Sequence, residues 1–215
     1  MSVIRPYRVQ DEPAIARICL RTGHAGQDAT PYYPDGELLA DLYTRPFLAA
    51  EPELASVAEV DGEVVGYLVG TADTARFAAW FRDVWLPPLA GRHPPGGGEP
   101  GSWAAIMTAA LYAPEAMVRP ELAGHPAQLH TNLLPDHQRR GLGTRMIHTF
   151  LQALADRGVP AVHVAHGKYN ISARIFYKRL GFTLLPVPDP GPVRFLGRPT
   201  EPVEPIEPVE REPAR

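Results

Sequence analysis

Two hydrophobic periods alternate along the 215-residue chain. Short runs rich in β-branched and aromatic residues read as strands at Ser2–Arg8, Ala55–Val60, Glu63–Thr71, Gln128–Leu133 and Ala161–Ala165. Asp61-Gly62, between the second and third runs, favours a tight primed turn and so a hairpin. Elsewhere the apolar spacing lengthens to three and four residues. It predicts a helix from an Asp11 cap to about Thr22, with Pro13 tolerated in the first turn, and a second over Gly36–Arg45 capped by Asp35. Thr74–Trp85 is helical on Phe77, Trp80, Phe81 and Val84, and Ser102–Tyr112 is helical again. Arg140–Arg157 carries Leu142, Met146, Ile147, Phe150, Leu151 and Leu154 on one stripe. Asn170–Leu180 is the last helix, closed by Gly181 in the left-handed position after a helix end. Phe182–Val187 and Val193–Gly197 pair as closing strands. Gly23–Asp35 and His93–Gly101 are loops, and Pro114–Pro126 is irregular or briefly helical.

The length suits one domain with a sizeable core, assigned to residues 1–199. Residues 200–215 repeat Glu-Pro-Val and Glu-Pro-Ile and form an extended, polyproline-like tail that buries no core. This tail holds five Glu and two Arg, which accounts for the whole net charge of −3. The body is neutral and lacks the basic footprint of a nucleic-acid binder. Met1 opens no charged-then-apolar leader, and no apolar run approaches 18 residues, so neither a signal peptide nor a membrane span is expected. The one cysteine, Cys19, suits a reducing compartment and hence the cytoplasm. It shares an apolar helix face with Ile15 and Ile18, which reads as a packed thiol. His163 and His166 are three apart on a strand and point to opposite faces. With one Cys and no H-x-x-x-H, no metal site is expected.

The chemistry concentrates at Gln138-Arg139-Arg140-Gly141-Leu142-Gly143, where a strand ends and a helix begins. Two glycines let the backbone turn tightly and approach a ligand. The first free N–H groups of the helix face outward, and the helix dipole favours an anion there. Arg139, Arg140 and Arg145 add charge. The turn is neither a P-loop, which needs a Lys-Ser/Thr ending, nor the three-glycine dinucleotide fingerprint.

Some thirty residues downstream runs Asn170-Ile171-Ser172-Ala173-Arg174-Ile175-Phe176-Tyr177-Lys178-Arg179-Leu180-Gly181-Phe182. The two segments, in this order and separation, resemble the signature segments of the GNAT superfamily of acetyl-CoA-dependent N-acyltransferases. Gln138–Gly143 matches the family's [RQ]-x-x-G-x-[GA] loop. The second segment matches at Asn170, Ala173, Phe176, Tyr177, Leu180, Gly181 and Phe182. The resemblance implies an α/β (α+β) fold: a mixed, mostly antiparallel sheet of six to seven strands, flanked by helices and splayed at one strand pair to admit the cofactor. A narrower resemblance joins Ile18–Thr22, Gly26–Thr30, Tyr33–Asp35, Gly66–Thr71 and the Trp-containing run Phe77–Leu89 to the acetyltransferase-like domain of O-GlcNAcase.

What the resemblance implies for the site follows residue by residue. Backbone N–H groups of Gln138, Arg139, Arg140, Gly141, Leu142, Gly143 and Thr144 would take the pyrophosphate of acetyl-CoA, with the arginines adding charge-assisted bonds. Leu133 and Leu134 would offer backbone groups to the pantetheine arm and polarise the thioester carbonyl. Asn170 either bonds the same arm or caps its helix, or both. Tyr177 is the candidate acid for the departing thiolate, with packing beside Phe176 as the alternative. The base is open between His130, whose ordinary pKa is near neutral, Asp28, and a water wire with no dedicated base. The acceptor is an amine, on a small molecule or a protein lysine. Tyr32, Tyr33, Trp80, Trp85 and Trp103 are candidates to line its pocket, with core burial the default for the tryptophans. A monomer or homodimer is expected. A non-catalytic acetyl-CoA-binding domain is the competing reading.

Overall fold

The computed structural model of the chain describes residues 1–33 and 36–201. The Asp35 cap and the chain beyond residue 201 lie outside the described residues. Seven strands make one sheet: β1 (Ser2–Pro6), β2 (Ser56–Val60), β3 (Glu63–Thr71), β4 (Ala127–Leu133), β5 (Ala161–Gly167), β6 (Thr183–Leu184) and β7 (Val193–Pro199), in the order β1-β2-β3-β4-β5-β7-β6. All neighbouring pairs are antiparallel except β4 and β5. The mixed sheet expected from the sequence is therefore present.

Helices cover both faces. On one lie α6 (Leu142–Ala155) and α7 (Ile171–Arg179); the expected α6 stripe is buried with Leu129, Val162, Val164 and Tyr177 in one cluster. On the other face lie α1 (Glu12–Thr22), α2 (Glu37–Tyr43), α3 (Arg45–Ala50), α4 (Thr74–Trp80) and α5 (Trp103–Leu111), around Ile15, Ile18, Phe47, Tyr67 and Phe77. Burying about 1.5–3 kcal/mol of transfer free energy per large apolar side chain, these two clusters fix the sheet between its helix layers.

Local chemistry explains where sequence and structure part. The second helix does not run to Arg45: it breaks at Thr44, and α3 restarts with Pro46 in its first turn. Thr74–Trp85 is α-helical only to Trp80 and continues as a π-helical turn over Phe81–Trp85. Asp11 occupies the start of α1 without capping it. Its carboxylate is taken by the Arg5 guanidinium in two bonds of 2.7 and 2.9 Å and by the Arg8 backbone N–H; a nearly buried charge is better satisfied by a bidentate partner than by a cap. Asp61 and Gly62 both have positive φ, 51° and 87°, as a primed hairpin turn requires. Beyond β7 the chain stays tied to the body, since Thr200 donates from Oγ1 to the Val159 carbonyl at 2.6 Å.

Candidate active site

The parallel pair β4–β5 is where the sheet opens. Pairing holds only at Ala127↔Val162 and Gln128↔His163, although β4 runs on to Leu133 and β5 to Gly167. Past Gln128 the strands diverge and leave a gap. In the antiparallel pairing with β3, the Leu134 N–H is spent on the Val65 carbonyl at 2.9 Å. Strand alternation then turns the backbone groups of Leu129, Thr131 and Leu133 toward the gap. Of the two residues expected to offer backbone groups here, Leu133 faces the opening and Leu134 does not. The Leu133 carbonyl itself accepts from Gln138 Nε2 at 2.9 Å, so this glutamine ties the following loop to the strand end.

After a 3₁₀ turn at Pro135–His137, Arg139 and Gly141 adopt positive φ, 59° and 79°. Left-handed backbone costs a non-glycine residue about 1–2 kcal/mol. Arg139 thus holds strain of the kind that clusters at ligand sites. α6 begins at Leu142, later than the expected Arg140, because Arg139 and Gly141 are left-handed. Gly141 is its N-cap, and no side chain caps it. The first-turn N–H groups of Leu142, Gly143 and Thr144 are left to an outside acceptor. The glycines do different things. A Cβ on Gly141 would meet nothing within 4 Å, whereas one on Gly143 would stand 3.1 Å from Phe176 and 3.3 Å from Leu133. Gly143 lets α6 close on α7 and the strand end; Gly141 leaves space in front of the helix.

On the far side of the gap, Asn170 caps α7 by accepting from the Ala173 N–H at 3.0 Å. Tyr177 is buried between Phe176 and Phe182, with ring centroids 5.1 Å away in each case. Burial pushes its phenol well above the ordinary tyrosine range. The phenol is also close enough to Tyr67, on the opposite sheet face, to contribute to the upward push on that residue. Two buried ring nitrogens near this opening have no hydrogen-bond partner: His166 Nε2 on β5 and His137 Nδ1 in the turn before the loop. Arg198, which nothing in the sequence marked out, sits 5% exposed on β7 and donates to the Leu180 carbonyl at 2.6 Å and the Glu201 carbonyl at 3.0 Å. It anchors the C-terminal end of the helix that carries Tyr177.

His130 lies on the face away from α6 and α7. Its ring is enclosed by Tyr43 (5.4 Å) and Phe47 (5.2 Å), and its Nε2 is 3.2 Å from Gln128 Nε2. The amide nitrogen is a donor, so His130 Nε2 accepts and the ring proton sits on Nδ1. Burial, reinforced by His163, lowers its pKa to about 4. The near-neutral value expected from sequence is thereby corrected, because that expectation assumed a solvated ring. Asp28 stands in the exposed loop after α1, bonded by Thr30 and paired with Arg21 at 3.0 Å; the Thr30 bonds and then Arg21 hold its carboxyl below the usual range. No contact joins Asp28 to His130 or Tyr177 among the described residues. Trp85 and Trp80 are partly buried and stacked, while Trp103 is 45% exposed, edge-on to His24 at 5.6 Å.

Comparison with known proteins bears on this arrangement. The family model described as Acetyltransferase (GNAT) family matches residues 121–182, which contain β4, the loop, α6, β5 and α7. The solved structure of SsHAT is 47% identical, covers 94% of this chain and 99% of its own, and superposes with a TM-score of 0.89. The chain belongs to the GNAT acetyltransferase family. More distant GNAT folds include yncA of Salmonella typhimurium, solved with acetyl-CoA (16% identity, 93% and 94% coverage, TM-score 0.54). Another is the PaiA N-acetyltransferase of Thermoplasma acidophilum, solved with coenzyme A (11% identity, 93% and 99% coverage, TM-score 0.56). Among the described residues of this GNAT protein no helix is long and apolar enough to cross a membrane.

Proposed function

We propose that this GNAT protein is an N-acetyltransferase that passes acetyl directly from acetyl-CoA to an amine. The observation that carries the reading is the strand pair opened beyond Gln128, with an uncapped helix N-terminus at its mouth and Tyr177 on its far wall. The residues fit the co-substrate. The first-turn N–H groups of α6, with Gln138, Arg139 and Arg140 beside them, suit a pyrophosphate. The backbone of Leu133 suits an extended amide-bearing arm, and Asn170 keeps its amide N–H₂ free beyond its cap. Acetyl-CoA, when bound, supplies the activated thioester.

In this reading the amine nitrogen bonds to the thioester carbon as the carbon–sulfur bond breaks. Tyr177 gives its phenolic proton to the leaving sulfur and regains one that originates on the amine, so no net proton is consumed. Burial keeps the phenol protonated and so available as a hydrogen-bond donor to the departing sulfur, while its raised pKa requires the proton to pass only in concert with its replacement from the amine. Of the two candidate bases, His130 lies on the sheet face that the gap opens onto. It serves there as a neutral hydrogen-bonding group. Asp28 is exposed and its carboxylate is engaged by Thr30 and Arg21, which makes it the weaker candidate. The resemblance to the O-GlcNAcase acetyltransferase-like domain belongs to this proposal, as do a cytoplasmic location and a single domain over residues 1–199.

A second reading, acetyl-CoA binding without transfer, is favoured by one observation: Tyr43 and Phe47 enclose the His130 ring, and this burial weakens it as a base. The test is release of CoA thiol from acetyl-CoA across an amine panel, alongside calorimetric binding. Amine-dependent release supports transfer. Tight binding with no release on any amine supports the second reading.

A further inference from the structure

We propose that the chain carries a second binding site, apart from the loop before α6, for an uncharged aromatic ring that bears a hydroxyl. A cavity of about 270 Å³ lies between α2, α5 and residues 92–98, with Leu38, His93, Pro94, Ala104 and Thr108 among its walls. Its described lining residues all fall between Tyr33 and Thr108, outside the passage that holds the gap, the loop and Tyr177. Pockets for drug-sized ligands start at roughly 300 Å³, so this one suits a single ring with a short substituent.

The walls are fixed before any ligand arrives. Ser102 caps α5 by accepting from the Ala105 N–H at 3.1 Å. Gly98, at φ 89°, lies so close to that first turn that a Cβ would stand 2.7 Å from the Ala105 nitrogen. Only glycine allows both the left-handed backbone and the approach. The Tyr112 hydroxyl donates to the His93 carbonyl at 2.8 Å, and His93 Nε2 bonds the Asp41 carboxylate at 2.9 Å. A preformed cavity spares a ligand the cost of ordering it.

The lining selects the occupant. Leu38, Pro94 and Ala104 are apolar, and a polyol pressed on them would leave most of its hydroxyls unpaired. Tyr33 and Thr108 also line the cavity; each is 5% exposed, and neither hydroxyl has a hydrogen-bond partner among the described residues. A bare hydrocarbon ring would displace water from both and bond neither. The charges at the edge are already paired: Arg92 Nη1 donates to Asp41 at 3.0 Å, and Arg45 donates to both Asp41 and Glu37. A charged ligand would gain no free counter-ion for the hydration it gives up. What remains is a flat apolar body with one or two hydrogen-bonding groups.

The surface beside the cavity is itself aromatic. Tyr32 and Trp103, the chain neighbours of the lining residues Tyr33 and Ala104, are 39% and 45% exposed. His24 bridges them, stacked on Tyr32 with centroids 4.4 Å apart and edge-on to Trp103. Aromatic faces left in water beside a cavity favour an aromatic ring over an aliphatic one.

The experiment titrates the full, isotope-labelled chain with 4-hydroxyphenylacetamide, phenylacetamide, 4-hydroxyphenylacetate and glucose, followed by backbone amide NMR shifts with and without saturating acetyl-CoA. The hydroxyphenyl amide should bind about fivefold tighter than phenylacetamide, the gain from one added hydrogen bond. It should also bind tighter than the carboxylate and glucose. Shifts should centre on α5 and residues 92–102 and persist with acetyl-CoA present. Tyr33→Phe and Thr108→Val each delete one hydroxyl; at least one should erase the fivefold advantage while leaving phenylacetamide affinity as it was. Trp103→Ala, at a half-exposed position, should weaken both ring amides by about threefold or more. No saturable binding, equal affinity of the two amides, or tighter binding of the carboxylate or glucose would overturn the proposal. So would an advantage that survives both hydroxyl deletions, or displacement of the ring by acetyl-CoA with shifts confined to β4, α6 and α7. Because no turnover is read, the result stands apart from the acetyltransfer reading.

Discussion

Gly141 separates two demands on the same spot. It caps α6 with φ 79°, and a Cβ there meets nothing within 4 Å. Asn and Asp are the side chains that best tolerate this backbone region, so Gly141→Asn and Gly141→Asp carry the same conformational cost and nearly the same volume. They differ by one negative charge at a helix N-terminus. For folding that charge is favourable: an acidic N-cap stabilises the helix by about 0.3–1 kcal/mol relative to a neutral group. For a pyrophosphate it is repulsive. A carboxylate about 5 Å from one phosphate charge, at an effective dielectric near 20, costs about 3 kcal/mol, or about two orders of magnitude in Kd. The Asp variant should melt at or above the Asn variant yet bind acetyl-CoA roughly a hundredfold more weakly by calorimetry, with the difference shrinking as salt is raised. A steric explanation predicts equal loss in both. Equal affinities of the two variants would refute the placement of the pyrophosphate at this helix end.

Tyr177→Phe keeps the packing against Phe176 and Phe182, so acetyl-CoA affinity should hold while turnover falls roughly 10²-fold; wild-type turnover on an acceptor would reduce Tyr177 to a core residue. His130 has a folded-state pKa below its unfolded value, so it contributes stability above about pH 6.5 that is lost as the pH falls toward 4. Urea midpoints of His130→Gln should fall less over that window than those of the wild type, and identical slopes would contradict the burial argument. Asp41→Asn breaks a 1%-exposed carboxylate from Arg45 and His93 at 2.8 and 2.9 Å and should cost about 3 kcal/mol, read as a lowered urea midpoint with an unchanged slope. A shift under about 0.5 kcal/mol would show that the network is screened.

What the sequence made legible is what is local. The α6 stripe, the hairpin turn at Asp61-Gly62 and the tight backbone turn at Arg139–Gly141 each depend on residues within a few positions of one another, and each is found where the periodicity and the turn chemistry put it. Errors arose where a distant partner overrode a local preference. Asp11 could cap α1, but Arg5 on β1 takes its carboxylate. Leu134 could offer an N–H to the gap, but Val65 on β3 claims it. His130 looked titratable near neutrality because neither Tyr43 nor Phe47, more than eighty residues earlier, could be foreseen to close around its ring. Arg198 carried no signal at all, since a lone arginine in a short strand does not announce that it will be buried against helix-end carbonyls.

The two sides of the gap were therefore unequally readable for a physical reason. The proposed cofactor side is one continuous β–loop–α–β–α passage, residues 127–180, in which backbone geometry and glycine positions carry the signal. The opposite sheet face is assembled from pairs such as Tyr43 with Met107 and Tyr67 with Asn132, 64 and 65 residues apart. The segment between β3 and β4 supplies Met107 and Met117 to this face, where they accept from Tyr43 and Gln128. The family was evident from sequence because its signature lies in one continuous passage, whereas the opposite face depends on partners far apart in the chain.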